Sequence, residues 1–91
     1  MKHVILFHFE SCPYCQQARQ WLKELQQEQP ELAKVQVEMI DEKLEPQRVA
    51  DFLKQGHSYY YVPTFYVDGV KAHEGVATKQ IVEDVLRSAL A

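Results

Sequence analysis

The sequence predicts an α/β sandwich of minimal size, with elements in the order β-α-β-α-β-β-α and a four-stranded mixed sheet covered by helices. Three observations carry this. A β-branched and aromatic run, Lys2 to Phe9, gives way at Ser11-Cys12-Pro13 to apolar residues spaced by three and four. Two further extended segments each follow a helix-like one. The last of them runs through Asp68-Gly69 into another strand, and an Asp-Gly pair is a two-residue hairpin signal because both central residues need positive φ.

Each element has its own local reason. Lys2 to Phe9 contains no Gly or Pro and reads as a buried strand. Pro13 lacks an N–H and has a fixed φ, which suits the first turn of a helix. Downstream, Cys15, Ala18, Leu22 and Leu25 form one stripe, and the helix ends near Gln29-Pro30. Val35, Val37 and Met39 alternate with Gln36 and Glu38, predicting a second strand with one wet face. Pro46 opens a short helix whose apolar side is Val49, Phe52 and Leu53, and Gly56 is placed to end it. Thr64 to Val67 and Val70 to His73 are the hairpin strands, with Tyr59-Tyr60-Tyr61 ahead of them read as edge-strand packing or a substrate-facing wall. Gly75 breaks the last strand. Thr78 caps a final helix carrying Ile81, Val82, Val85, Leu86, Ala89 and Leu90 on one side.

Ninety-one residues, 46% hydrophobic and 25% charged, are expected to form one globular domain spanning 1–91 rather than a disordered chain. Ten basic against thirteen acidic residues leave a net charge of −3, which argues against nucleic-acid binding, where clustered positive charge supplies most of the affinity. Val4-Ile5-Leu6-Phe7 is far short of the ~20 apolar residues that span a bilayer. Met1-Lys2-His3 ahead of it imitates a signal peptide only loosely, since His8, Glu10 and the cysteines follow at once. The expectation is a cytoplasmic monomer with no membrane or nucleic-acid partner.

The two cysteines, Cys12 and Cys15, are the most informative residues. A pair two residues apart closes too small a loop to be a useful structural staple, leaving metal binding or redox chemistry. A zinc site usually needs four ligands, but no other cysteine exists, and His3, His8, His57 and His73 lack paired spacing. Redox chemistry needs a thiolate, and Cys12 stands where unpaired N–H groups and the helix dipole stabilise a negative sulfur. Cys15 lies one turn deeper on the apolar stripe, so it should be less exposed and less ionised. Cys12 is therefore expected to attack and Cys15 to resolve the mixed disulfide. No Lys or Arg occurs between Phe7 and Arg19, so the helix terminus must do most of the activation.

With Cys12-Pro13-Tyr14-Cys15 after the first strand, the chain resembles the glutaredoxins, thioredoxin-fold dithiol oxidoreductases. Val62-Pro63 opening the third strand, the Asp68-Gly69 hairpin and Gly75 before the last helix match in order. The resemblance implies a minimal thioredoxin-like fold and a thiol–disulfide oxidoreductase that reduces protein disulfides or glutathione mixed disulfides. It implies no bound cofactor and glutathione as co-substrate. It also makes Pro63 a cis proline against the dithiol, with the Val62 backbone as an edge for an extended peptide. Tyr14, Val62, Pro63, Gly75 and Thr78 are accordingly the expected substrate-binding residues.

The departures concern glutathione. Phe9, with His8 beside it, stands where many members have a Lys or Arg, Tyr61 replaces the usual threonine, and Gly75-Val76-Ala77-Thr78-Lys79 replaces a Gly-Gly and Asp-containing segment. N–H groups at 77–79 with the Thr78 hydroxyl are expected to hold a carboxylate, Lys79 adding positive charge. His8, Lys54 and Arg48 are the candidates for the missing cation. Two alternatives follow: a redoxin reduced by a flavoprotein thioredoxin reductase, and a dimeric iron–sulfur module with Cys12 from each subunit.

Overall fold

A computed structural model describes residues 1–91. It contains β1 (Val4–His8), α1 (Pro13–Glu28), a 3₁₀ turn (Leu32–Lys34), β2 (Val37–Asp41), α2 (Pro46–Leu53), β3 (Thr64–Val67), β4 (Val70–Glu74) and α3 (Lys79–Ser88). The sheet order is β2-β1-β3-β4, with β1 parallel to β2 and antiparallel to β3, and β4 antiparallel to β3. This is the expected four-stranded mixed sheet.

Side chains alternate across the sheet with period two, and the two faces bury different residues. Val4 and Leu6 of β1, with Phe65 and Val67 of β3, point toward α1 and α3, where Ala18, Leu22, Leu25, Val82, Val85 and Leu86 complete the main core. Phe7 and Tyr66 point the other way, into a smaller cluster with Ile40 and Tyr59, on which Val49, Phe52 and Leu53 of α2 pack. The uninterrupted apolar run of β1 is explained by its central position, with both faces covered. Asp68 and Gly69 have φ of 47° and 79°, the positive values the hairpin demands.

Three expectations are corrected. β2 begins at Val37, two residues later than the alternation suggested. Val35 is buried instead at the end of the 3₁₀ turn, where the Gln26 side-chain amide donates to the Leu32 and Val35 carbonyls at 3.1 and 2.9 Å. β2 is an edge strand, so Met39 is left 42% exposed, and burial concentrates at Ile40 and Asp41. Tyr59-Tyr60-Tyr61 lies in an irregular loop rather than an edge strand, because Tyr59 turns into the α2-side cluster while Tyr60 and Tyr61 face solvent. β4 runs one residue further than expected, to Glu74. A bulge shifts its register between Phe65↔His73 and Tyr66↔Lys71, so Ala72 is the extra residue.

Candidate active site

The strand register brings the expected site residues to one end of the sheet. His8 pairs with Asp41, Phe7 with Thr64, and Thr64 with Glu74, so β1, β2 and β4 finish where β3 begins. The chain leaves β1 toward Cys12, Tyr14 and Cys15, enters β3 through Val62 and Pro63, and leaves β4 through Gly75 to Thr78. The Val62–Pro63 peptide bond is cis, and the Gly75 N–H donates to the Pro63 carbonyl at 2.8 Å. Gly75 has φ of 92°, a conformation that a side chain would strain.

Cys12 is the N-cap of α1, with its backbone extended, and its Sγ accepts the Cys15 N–H at 3.4 Å. An N-terminal amide aimed at sulfur is the arrangement that holds negative charge there. Both cysteines are free thiols. Cys12 retains 6% of its surface and Cys15 none. Burial pushes the Cys15 thiol up to about 12, reinforced by its hydrogen bond with Cys12, while the Phe9 N–H and Arg19 pull weakly the other way. The pair is thus asymmetric: one cysteine keeps a small part of its surface at a helix terminus, and the other keeps its proton in the core. Tyr14, between them, is exposed.

The loop that carries Cys12 is fixed by residues that sequence reasoning missed. The Asp41 carboxylate accepts the Glu10 N–H at 3.1 Å, and its other oxygen accepts the Lys43 and Leu44 N–H groups at 2.8 and 3.2 Å. The Glu10 carbonyl accepts from the Gln16 amide at 3.0 Å and from Arg19 at 3.1 Å. An Asp ending a strand just before a turn is a recognisable local signal for the Lys43 and Leu44 bonds. The reach to Glu10 is not local and has no such signal.

Arg19 also donates to Nδ1 of His8 at 2.8 Å. Burial, and then the Arg19 charge, hold the His8 imidazole below its ordinary value, so this residue is a poor replacement for the missing cation. Arg48 is committed to Glu38 and Glu45. Lys79 does not face the start of α3 either: its ammonium lies 3.2 Å from Glu24 and 3.1 Å from Glu28 on α1. Thr78 caps α3, its hydroxyl oxygen accepting the Ile81 N–H at 3.1 Å. Lys43, in the turn after β2, brings a cation to Phe9. Its ammonium sits 4.2 Å from the centre of the Phe9 ring and borders a cleft of about 470 Å³ that also touches Glu10, Ser11 and Gln16 beside Cys12. Nowhere do three His, Cys, Asp or Glu side chains gather as a metal-binding group.

The glutaredoxin family model matches residues 4–71, from β1 through the start of β4 and including Cys12, Cys15 and Pro63. The chain belongs to the glutaredoxin family. No curated protein sequence matches it. Among solved structures it is similar to oxidised thioredoxin from Plasmodium falciparum, at TM-score 0.68 and 18% identity over 99% of this chain and 82% of that one. It is also similar to glutaredoxin 1 from Francisella tularensis, a structure in complex with cacodylate, at TM-score 0.51 and 18% identity over 99% and 98% of the two chains. Identities this low speak to the fold, which is thioredoxin-like. Family membership together with the Cys-x-x-Cys spacing of Cys12 and Cys15 makes the chain a thiol oxidoreductase. No helix is long and apolar enough to cross a membrane.

Proposed function

We propose that the chain reduces protein disulfides and glutathione mixed disulfides, with Cys12 as nucleophile, Cys15 as resolving thiol and glutathione as electron donor. The asymmetry of the dithiol carries this reading. The Cys12 thiolate attacks one sulfur of the substrate disulfide, forming a mixed disulfide and releasing one substrate thiolate, which takes up a proton. Cys15 then loses its proton and attacks Cys12 Sγ, closing the Cys12–Cys15 disulfide and releasing the second substrate thiol. Two glutathione thiols return the enzyme to its dithiol by the same exchange in reverse and leave as glutathione disulfide.

Glutathione carries two carboxylates. The open N–H groups at the start of α3, with the Thr78 O–H, suit one of them; Lys43 beside Phe9 suits the other. A missing charge-assisted hydrogen bond costs roughly 1.5–3 kcal/mol, a tenfold to hundredfold weakening. The commitment of Arg48 and Lys79 to internal carboxylates therefore favours a second reading, in which a flavoprotein thioredoxin reductase supplies the electrons.

Alkylation of the reduced protein at pH 6 should label Cys12 well before Cys15, and equal rates would remove the assigned roles. Cys12→Ser should abolish reduction, and Cys15→Ser should accumulate mixed disulfide while retaining deglutathionylation. Activity in a glutathione-coupled assay that Thr78→Glu weakens through KM supports the donor proposed. Turnover with thioredoxin reductase and NADPH, and none with glutathione, supports the second reading.

A further inference from the structure

Glu74, the last residue of β4, stands outside the segment that the family model matches, and its carboxylate reaches back to the loop that enters β3. One oxygen accepts the Tyr60 N–H at 2.6 Å and the Tyr61 N–H at 3.1 Å, and the other accepts from the Lys71 ammonium at 2.6 Å. These donors, Lys71 first, hold the carboxyl down to about 2, so it is ionised across the physiological range. Two more bonds complete the restraint: the Thr64 hydroxyl donates to the Tyr61 carbonyl, and the Gly75 N–H to the Pro63 carbonyl.

The consequence lies in what these bonds leave over. Within this tethered segment Val62 has neither its N–H nor its C=O paired inside the protein. Its side chain packs on the α2-side cluster, so the residue is anchored while its backbone edge is open. On the same segment Tyr60 and Tyr61 stand 85% and 71% exposed, two large rings with no internal role. An open backbone edge pairs with an extended chain, and aromatic rings beside it add apolar contact that a long polypeptide exploits far better than a tripeptide does.

We infer that Glu74 is a positioning residue for substrate: by clamping the Tyr60 and Tyr61 N–H groups it holds the Val62 edge and the two tyrosines in place for polypeptide disulfides. This inference rests on the dithiol reading above and adds a positioning residue to it. Glu74 takes no part in the sulfur exchange, so its loss should change binding and leave the thiols alone.

The test uses pre-reduced full-length protein in single-turnover reactions with insulin, a polypeptide disulfide, and with hydroxyethyl disulfide, a small one. For Glu74→Ala the half-saturating insulin concentration should rise about fivefold as the ordering of the segment is lost, with the maximal rate unchanged. Reduction of hydroxyethyl disulfide and iodoacetamide labelling of Cys12 should match wild type. Glu74→Gln keeps a carbonyl oxygen for the two N–H donors and should restore most of the insulin affinity. Hydrogen exchange should speed up at the Tyr60 and Tyr61 amides in the alanine variant and not in the glutamine one. Replacing both tyrosines by serine, with the clamp intact, should weaken insulin alone. An unchanged insulin half-saturation in Glu74→Ala overturns the inference, as does an equal slowing of all three reactions. Wild-type protein that reduces neither disulfide overturns the parent reading along with it.

Discussion

The two faces of the sheet bury their side chains for different ends. Toward α1 and α3 lie fourteen buried residues, aliphatic apart from Phe65, with neighbours drawn from both helices and the central strands. Toward α2 lie only four, and three of them are aromatic. That thin side is tied by polar tips: Tyr59 donates to Glu42 at 2.5 Å, Tyr66 donates to the Ser58 carbonyl at 2.9 Å, and the His57 ring stacks on Phe52 at 4.1 Å. The thick face holds the sheet to α1 and α3. The thin face gives shape to an irregular loop, residues 57–63, that has no ladder of its own and leads directly to Val62 and Pro63. Stability and the shape of this loop are therefore separable by side of the sheet.

The largest effect expected from breaking this contrast is on the thick face. Leu22→Ala and Phe65→Ala remove fully enclosed side chains and should cost about 2–5 kcal/mol in urea unfolding, with dithiol reactivity unchanged wherever the protein remains folded. A loss comparable to that of an exposed substitution would erase the distinction. On the thin face, Tyr66→Phe keeps the ring and removes the hydroxyl that bonds Ser58. The cost should be about 1 kcal/mol, accompanied by weaker polypeptide binding in single-turnover reduction, because the loop is released rather than the core. An effect confined to stability would place the loop's shape elsewhere.

A pH titration sharpens the contrast further. The His8 imidazole is held below its ordinary value of 6.5, so the unfolded chain binds the proton more readily than the folded one. That stability is complete above the unfolded value and is lost as the pH falls through 6.5 toward the folded one. The urea midpoint should drop between pH 7.5 and pH 5.5, and His8→Gln should flatten that part of the profile. The smallest effect should be at the ion pairs joining Lys79 to Glu24 and Glu28. These are solvent-exposed, and Lys79→Gln should leave the midpoint unmoved. A clear shift there would mean that the α1–α3 packing depends on charge as well as apolar burial.

What could be read from the residues in advance was what neighbours in sequence determine. The order of elements, the Pro13 and Pro46 helix starts, the Asp68-Gly69 hairpin, the Thr78 cap and the deeper burial of Cys15 all follow from patterns a few residues long. The start of β2 was misplaced because Val35 has the apolar character of a strand residue, and only the 3₁₀ turn before it explains how it is buried outside one. The loop restraints were illegible for another reason. Glu10 meets Asp41 across 31 residues, Tyr60 meets Glu74 across 14 and His8 meets Arg19 across 11, and no periodicity links such partners. Lys43 beside Phe9 belongs to the same class: it reaches that ring from the turn after the neighbouring strand.

Because the Cys15 thiol is held up to about 12, it binds its proton whenever the pair is reduced at any ordinary pH and must release it whenever the disulfide closes. Electron transfer at this site is therefore coupled to proton transfer. Reduction consumes at least one proton for two electrons, so the midpoint potential should fall by at least about 30 mV for each unit of rising pH. A compartment that becomes more alkaline makes the dithiol a stronger reductant without any change in its contacts.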